Sequence, residues 1–345
     1  MKISNFAIIG FIFLFGGNQA FSQYSNFKYK KKNHSSEAGY LNISRQIRYF
    51  YGGIGLTLNT YFGDLTPNQK YLANGLKVSR PGISAFVNYN FNSNVFFSGD
   101  FTYTRILGDD SNSDPNHSSI SNRKYVRNLS FRNDLLGLII RANANLLHDP
   151  FEYFKRRNYN FYIFLGLSMY YSNPKSRVPE VDYEGAVFDN AGEWIALRPL
   201  GTEGQNNGGA GKKYSSMQLG IPFGVGFRYR LSHRLDLLAE GTITYILSDY
   251  IDDVGSSYVD LGIFEDELAK SMSDRSREEK AALKNEIRDW EIVKNSTQAY
   301  VYESVYDGKS YTVFEGFGHD GAIKGGDKND IITSLSLKIS YIFTK

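Results

Sequence analysis

MQLGIPFGVGFRYRLSHRLDLLAEGTITYIL, residues 217–247, decides the fold of this chain. The segment lies within the stretch from Tyr214 to Asp253 and alternates apolar and polar side chains, first as far as Arg230 and again from Leu235. Such alternation is typical of a β-strand with one apolar and one polar face. Each limb is roughly twice the ~5–6 residues of an average strand, long enough for a tilted strand to cross a bilayer. The stretch therefore predicts two transmembrane β-strands joined by a tight turn.

The same alternation recurs in six further segments of the chain. They are Tyr51 to Phe62, Pro81 to Phe91, Val95 to Leu107, Asn128 to Asn145, Asn160 to Ser172 and Asp330 to Phe343. With the opening pair they make eight strands, whose apolar faces would contact lipid and whose polar faces would line the interior. The sequence therefore predicts an all-β fold, an eight-stranded antiparallel transmembrane β-barrel with long extracellular loops.

The connections between these segments alternate in length. Three are short or moderate: Asn92 to Asn94, Leu146 to Asn158 and Leu231 to His233. Four are long: Gly63 to Arg80, Gly108 to Arg127, Asn173 to Lys213 and Ser248 to Asn329. In bacterial barrels the short turns face the periplasm and the long loops face outside. We therefore expect an outer-membrane protein with both termini in the periplasm.

The N-terminal residues predict export. Lys2 precedes an apolar run from Phe6 to Phe15 and a small-residue cleavage site near Ser22, the pattern of a secretory signal peptide. We expect residues 1–22 to be the signal peptide, residues 23–50 a periplasmic lead, and residues 51–345 the barrel with its loops. The 26 tyrosines and 25 phenylalanines suit the aromatic girdles of a barrel, and a net charge of +3 favours no nucleic-acid partner.

The last long loop is expected to have structure of its own. Ser276 and Glu279 form a capping-box pattern, which predicts a short amphipathic helix with Leu283, Ile287 and Trp290 on one side. Behind it, the pair Asp307-Gly308 predicts a hairpin turn between Tyr300 to Tyr306 and Ser310 to Phe317. We expect this hairpin to lie outside the membrane, with a ten-stranded barrel as the alternative.

Six charged residues are expected to point into the barrel lumen. They carry both signs: Asp100, Arg141, Arg228, Asp236, Glu240 and Lys338. The interior of an eight-stranded barrel is just wide enough to be filled by side chains, so these charges must pair with one another or with trapped water. We interpret them as a structural ion-pair network that blocks the passage of solutes, with a proton or ion path as the alternative.

The residues that could carry chemistry do not favour catalysis or metal binding. None of the five histidines lies in a predicted strand, where a rigid frame would hold a base beside a nucleophile. Two acidic clusters, Asp109 to Asp114 and Asp249 to Asp253, lack the spacing of an EF-hand calcium loop, and we explain them by turn chemistry and strand-end solvation. We expect no catalytic residue, no metal, no cofactor and no small-molecule substrate.

Several short phrases, taken together, resemble one family. In chain order they are Phe62 to Leu65, Arg105 to Asp110, Arg127 to Arg132, Asn173 to Lys175, Leu197 to Gln205, Ile221 to Phe227, Ser248 to Val254 and Asp274 to Ser276. Their order and spread resemble the PorG-type outer-membrane β-barrels of the type IX secretion system. The resemblance implies a non-enzymatic scaffold of protein export, associated with the periplasmic ring built from PorK and PorN.

A periplasmic partner of that kind needs a contact surface on the short-turn side. The turn from Leu146 to Asn158 mixes aromatic and basic side chains, which are enriched where proteins bind one another. Its candidate contact residues are Phe151, Tyr153, Phe154, Arg156 and Arg157. Two rival functions remain open, namely an adhesin or surface-binding barrel unrelated to secretion, and a small-solute channel.

Overall fold

The computed structural model of the chain describes residues 49–67, 79–150, 153–209, 211–326 and 328–343. The predicted signal peptide, the predicted lead as far as residue 48, and Phe151 lie outside the described residues. Every helix within the described ranges is too short or too polar to cross a membrane.

The described residues form twelve strands. In chain order they are β1 (Tyr49–Phe62), β2 (Arg80–Asn90), β3 (Val95–Asp109), β4 (Ser130–Asn145), β5 (Tyr159–Tyr171), β6 (Lys175–Arg177), β7 (Trp194–Ala196), β8 (Met217–Arg230), β9 (Leu235–Ile246), β10 (Ala299–Glu303), β11 (Ser310–Phe314) and β12 (Ile331–Ile342). Eight of them have 11 to 16 residues, which is long enough to cross a bilayer at a tilt. These eight are the predicted transmembrane strands, and their ends lie within a few residues of the predicted ends.

The eight long strands close into a barrel. Each pairs antiparallel with two neighbours in the order β1, β2, β3, β4, β5, β8, β9, β12. Strand β12 then pairs back with β1, from Ile331 opposite Phe62 to Ile342 opposite Tyr51. Closure leaves no open edge in the barrel wall, as a sheet that spans a membrane requires. The predicted eight-stranded barrel is confirmed.

Burial along the strands follows the alternation seen in the sequence. On β8, Leu219 and Val225 are 54% and 62% exposed, whereas Gln218 and Arg228 are 3% and 5% exposed. Large apolar side chains on the outside of the other long strands are exposed in the same way. A continuous apolar belt around a closed barrel is stable when lipid covers it, so the barrel spans a membrane.

The two ends of the barrel differ in their connections. At one end, here called the base, the strands are joined by residues 91–94, 146–158 and 231–234. The other end carries the long connections, residues 63–79, 110–129, 172–216 and 247–330, and their described part is here called the cap. The cap contains the helices α1 (Ser119–Arg127), α2 (Glu267–Ser273) and α3 (Trp290–Ser296).

The cap packs onto the barrel through one hydrophobic cluster. Phe131, Leu135 and Ile332 from the strands belong to it together with Ile251 and Met272 from the cap, and all five are at most 2% exposed. Full burial of a large apolar side chain contributes about 1.5–3 kcal/mol. The cap is therefore continuous with the core at the barrel mouth and is not a set of independent loops.

The predicted hairpin around Asp307-Gly308 is confirmed. Strands β10 and β11 pair antiparallel, from Ala299 opposite Phe314 to Glu303 opposite Ser310, as a separate two-stranded sheet in the cap. The ten-stranded alternative is wrong, because neither strand pairs with the barrel wall.

The helix predicted to follow Ser276 is wrong, because residues 275–288 contain two turns and an antiparallel bridge between Lys280 and Ile287, and α3 begins only at Trp290. Side chains from elsewhere in the loop occupy the backbone groups that a helix would use. Ser276 N donates to Asp274 Oδ1 at 3.0 Å, and the Arg288 guanidinium donates to Ser276 O at 2.7 Å and to Glu278 O at 2.9 Å. The predicted apolar side does not pack as one face either, since Ile287 is 81% exposed.

Candidate functional site

The barrel interior joins four of the six predicted lumen residues into one group, here called the central network. The guanidinium of Arg141 donates to Glu240 Oε2 at 3.0 Å and to Asp100 Oδ2 at 3.0 Å. The ammonium of Lys338 donates to Asp100 Oδ1 at 2.6 Å and lies 2.8 Å from Glu240 Oε2. All four side chains are at most 5% exposed. Two positive charges therefore balance two negative charges in the middle of the lumen.

Aromatic rings enclose the central network. Tyr162 Oη donates to Glu240 Oε1 at 2.7 Å, and the Arg141 guanidinium lies 4.4 Å from the centre of the Phe164 ring. Lys338 Nζ lies 4.9 Å from the centre of the Phe86 ring. Charge-assisted hydrogen bonds and cation–π contacts of this kind compensate the charges for lost water. The four residues of the central network line a cavity of about 40 Å³, room for no more than a few water molecules.

Glycines in the opening stretch make room for these rings. Gly226 on β8 faces the Tyr162 ring, and a Cβ there would collide with it. A Cβ at Gly224 would lie 2.7 Å from Phe164 Cζ, which is also too close. The alternate small residues on the inner face of β8 thus let two large rings of β5 lie across the lumen, and one of them holds Glu240.

The other two predicted lumen residues, Arg228 and Asp236, lie nearer the base and have partners outside the predicted set. Arg228 donates to Asp149, and Asp236 Oδ1 accepts from Arg156 Nη2 at 2.6 Å. The expectation that the six charges pair with one another or with trapped water is therefore wrong for these two residues, whose partners are other protein side chains. The turn between β4 and β5 folds back into the lumen and supplies both partners. Asp149 was not among the predicted lumen residues, although it and Glu152 are the only acids in residues 146–158.

Arg156 closes the base from inside. Its side chain is 0% exposed. Besides Asp236, its guanidinium donates to the backbone carbonyls of Tyr153, His233 and Ser232 at 2.7 to 3.1 Å. The predicted role of Arg156 in partner contact does not fit this position, because the side chain would have to leave the lumen to reach a partner.

The other residues predicted for partner contact differ in accessibility. Phe154 is 45% exposed, and Arg157 is exposed with Nε donating to His148 O at 2.9 Å. Tyr153 is half-buried with its ring centre 6.0 Å from that of Tyr49. Contact with a partner through Phe154 and Arg157 stays a prediction.

A buried ion pair ties the long connections together at the cap. Arg127 donates to both oxygens of Asp110, from Nε at 2.7 Å and from Nη2 at 2.9 Å, and the two side chains are 6% and 0% exposed. The same guanidinium donates to the backbone carbonyls of Asp64 and Lys324. One bidentate pair therefore joins three of the four long connections in a fixed geometry.

The acidic clusters are only partly explained by turn chemistry and solvation. Asp109 Oδ1 accepts from Ser111 N at 3.0 Å, which is the expected turn chemistry. The second explanation, that these acids are solvated at strand ends, is wrong for Asp110, Asp252 and Asp253. These three side chains are at most 2% exposed, because the cap covers the strand ends. In the part of the chain that the structure describes, no three histidine, aspartate or glutamate side chains are grouped to hold a metal ion.

Asp252 and Asp330 share the hydroxyl of Tyr61, and these three residues are here called the acid junction. Tyr61 Oη lies 2.5 Å from Asp252 Oδ2 and 2.9 Å from Asp330 Oδ1. A phenol has one proton to donate, so both contacts are hydrogen bonds when one of the carboxyl groups is protonated. Burial raises the pKa of Asp330 to about 7, and burial with repulsion from Asp330 raises the pKa of Asp252 well above its usual range. The acid junction therefore retains a proton near neutral pH.

The comparisons with known proteins give no family for this chain. No protein-family model matches it, and no curated protein gives a significant match. Among solved structures, Neisserial surface protein A (NspA) is 11% identical, with 85% of this chain and 96% of that chain covered and a TM-score of 0.33. Ail of Yersinia pestis is 9% identical, with 86% and 99% covered and a TM-score of 0.31. A major outer membrane protein from Thermus thermophilus is 11% identical, with 85% and 99% covered and a TM-score of 0.34. At this level of similarity the barrel assignment rests on the strand pairing of the chain itself.

Proposed function

We propose that this chain is a non-enzymatic scaffold of the outer membrane that conducts no solutes. The observation that carries the proposal is that the lumen is filled at three levels, by Arg156 at the base, by the central network, and by the hydrophobic cluster under the cap. A channel needs a continuous polar path, which such filling interrupts. Each acid of the central network contacts both of its cations, which favours a structural role over a proton path.

We further propose that the base faces the periplasm and the cap faces the outside of the cell. The difference in length between the two sets of connections supports this orientation, because bacterial barrels have short periplasmic turns and long external loops. Strand β1 begins and β12 ends at the base, so both ends of the barrel then lie on the periplasmic side. The apolar belt would contact outer-membrane lipids.

The surroundings of the histidines support the proposal that this scaffold is not an enzyme. The ring of His148 contacts Asn94 at 2.9 Å, and the ring of His233 contacts Arg230 at 2.9 Å. Among the described residues, no histidine ring is hydrogen bonded to a serine, a threonine or a carboxylate. A nucleophile activated by an adjacent base requires such a contact.

Within this scaffold role we propose a place in type IX protein secretion, on the resemblance to the PorG-type barrels. The phrases that carry the resemblance are scattered along the chain, yet several of them meet in the cap. Asp110 pairs with Arg127, Arg127 donates to Asp64 O at 2.8 Å, and Thr202 Oγ1 donates to Asp253 at 2.7 Å. Three of the phrases thus meet at Arg127 and two others meet at Asp253, which supports a structural role for the residues behind the resemblance. A periplasmic ring of the PorK and PorN kind would bind at the base.

Deletion of the gene tests the secretion role. A secretion component should leave cargo trapped in the periplasm when it is lost, and a plasmid copy should restore export. The double variant F154A/R157A then tests the base, since it should lower cross-linking to ring proteins while the amount of folded barrel stays the same. An unchanged secretome in the deletion strain would overturn the secretion role, and single-channel steps in planar bilayers would overturn the non-conducting barrel.

A second candidate function is a surface-binding barrel that acts outside the cell. The observation that favours it is a set of exposed apolar side chains on the cap, including Val305 at 86%, Ile287 at 81% and Val187 at 75% exposure. Such side chains mark a binding surface where they form one contiguous patch. A deletion that lowers attachment of cells to a surface and leaves the secretome intact would favour this function.

A further inference from the structure

Strands β6 and β7 continue one side of the barrel wall into the cap. Arg132 of β4 lies opposite Lys175 of β6, and Arg177 of β6 lies opposite Trp194 of β7. Residues directly opposite each other in antiparallel strands have their side chains on the same side of the sheet. On β4 this side faces lipid, because Leu136, which shares the alternation of Arg132, is 44% exposed. Arg132, Lys175 and Arg177 therefore lie together on the outer surface and are here called the basic cluster.

The basic cluster lies at the height of the lipid headgroups. The outward apolar side chains of this part of the wall extend from Leu146 at the base to Leu136. These ten residues, at about 3.3 Å each and a tilt of about 40°, cover a height of about 25 Å, which is the height of the apolar band of an outer-membrane barrel. Tyr171, opposite Leu136 and 45% exposed, marks the edge of the band, where tyrosine is typical. Arg132 is four residues beyond Leu136, about 10 Å above the band, from where a long basic side chain reaches the headgroups.

The positive charge of the basic cluster is not balanced by acids. Among the described residues, the one carboxylate that the cluster contacts is Asp134, which accepts from Arg105 Nε at 2.5 Å and from Arg105 Nη2 at 3.1 Å. Arg132 Nε lies 3.8 Å from the same carboxylate, too far for a hydrogen bond. Within the same part of the chain, Lys175 Nζ and the Arg177 guanidinium have neither an acid nor a hydrogen-bond acceptor as a partner. Three cations with one shared acid make a surface that attracts anions.

Trp194 holds the two guanidinium groups of the basic cluster in place. Cζ of Arg132 lies 4.2 Å from the centre of the Trp194 ring, and Cζ of Arg177 lies 5.3 Å from it. Cation–π contacts of this kind fix a guanidinium without using its N–H donors. The guanidinium fork matches the oxygens of a phosphate, and donors that are fixed in advance lose less entropy on binding. The basic cluster is therefore a preformed phosphate-binding surface, with Lys175 as a third donor group.

We propose that the basic cluster binds the phosphate of an anionic membrane lipid. The acyl chains of the same molecule contact the apolar side chains below the cluster on β4 and β5, where Leu136, Leu138 and Leu167 are 44%, 49% and 70% exposed. Position selects a lipid as the occupant, because a lipid has a phosphate at the height of the cluster and hydrocarbon below it, whereas a soluble anion matches only the charge. The unbalanced cations select an anionic lipid over a zwitterionic one. The site requires only that the barrel spans a membrane, so it stands independently of the proposed function.

Trp194 itself reports contact with a lipid. The chain has two tryptophans, so W290F leaves Trp194 as the only one. The full chain with W290F is refolded into phosphatidylcholine vesicles that contain phosphatidic acid, with bromine on the acyl chains of one lipid at a time to quench a tryptophan that it touches. Phosphatidic acid should occupy the place beside Trp194 about tenfold better than phosphatidylcholine, because each cation near a membrane surface attracts anionic lipid. Both leaflets have the same composition, so the direction of insertion does not affect the result.

Substitutions in the W290F background test which residues cause this preference. The triple variant R132Q/K175Q/R177Q should abolish it. The matched control K155Q/R157Q/R234Q removes three exposed cations at the base and should keep it near tenfold. K175Q alone should lower the preference about twofold, its share among three cations, and Lys175 has no hydrogen bond or ion pair among the described residues whose loss could unfold the barrel. Gel mobility of the folded barrel shows that each variant folds.

Three results would overturn the proposal. The first is equal quenching of Trp194 by the two brominated lipids in W290F. The second is an equal loss of preference in the two triple variants, which would make the preference an effect of overall charge. The third concerns soluble anions, because inorganic phosphate and heparin should leave the quenching by brominated phosphatidic acid unchanged. Displacement of this lipid from Trp194 by either of them would identify a site for a soluble anion instead.

Discussion

Replacement of Arg141 by methionine should destabilise the barrel by about 3–5 kcal/mol. Arg141 contacts both acids of the central network, and its loss leaves Asp100 and Glu240 with Lys338 as their one cation. The network is at most 5% exposed, so water cannot replace the missing charge. Methionine keeps most of the volume and the contact with Phe164, so the loss measures charge balance and not a cavity.

A second substitution separates charge balance from the loss of individual contacts. In the double variant R141M/E240Q, Asp100 and Lys338 remain as a balanced pair at 2.6 Å. We expect the double variant to be no less stable than R141M alone. The two single effects should therefore fail to add by at least about 2 kcal/mol.

Urea unfolding in lipid vesicles, followed by the gel mobility of folded and unfolded barrel, measures these free energies. The matched control is R105M, since Arg105 and Asp134 form a pair that is 38% and 31% exposed. Loss of such a pair should cost no more than about 1 kcal/mol. If R141M cost as little as the control, or if the double variant lost the sum of the single effects, charge balance would not govern the stability of the lumen.

Three further predictions concern the base, the cap and the lumen wall. In the same assay, R156M should lower the free energy of unfolding by at least about 2 kcal/mol more than R157M, because of the two arginines only Arg156 is in a buried ion pair. Equal losses of stability in the two variants would contradict this. The cap should resist urea better at pH 5 than at pH 8, because burial raises the pKa of Asp330 to about 7 and the stabilising proton is lost as the pH rises through that value. Fluorescence of the two tryptophans, both in the cap, reports this change, and D330N should abolish much of it. G226A should lower the yield of folded barrel in refolding assays and Y162A should restore it, because a Cβ at Gly226 meets the Tyr162 ring; no rescue would refute the contact.

The barrel could be predicted from the sequence because its pattern is local. Each long strand has lipid on one side and the lumen on the other, so the side-chain type alternates at every step, as from Met217 to Arg230. Turn chemistry is equally local, and the pair Asp307-Gly308 was sufficient to place the hairpin of β10 and β11. These features need no knowledge of which distant segments meet.

The partners of buried charges could not be predicted, because they depend on how connections fold back on the barrel. Arg228 and Asp236 point inward as the alternation requires, but their partners Asp149 and Arg156 come from a turn that enters the lumen. Contacts within the folded loop also explain why the helix predicted to follow Ser276 does not form. The capping residues are present, but Asp274 accepts from the Ser276 N–H and Arg288, twelve residues further on, donates to the Ser276 carbonyl.

Charged side chains that already have partners within the barrel are not free to bind another protein, which limits where a partner can bind. At the base, Arg156, which was predicted to contact a partner, is occupied by contacts within the barrel. Phe154 and Arg157 are what remains accessible of the predicted contact set. The cap, by contrast, leaves the backbone groups of a whole strand edge free at its surface. A partner at the base should therefore bind through Phe154 and Arg157, and a partner outside the cell should bind through the cap.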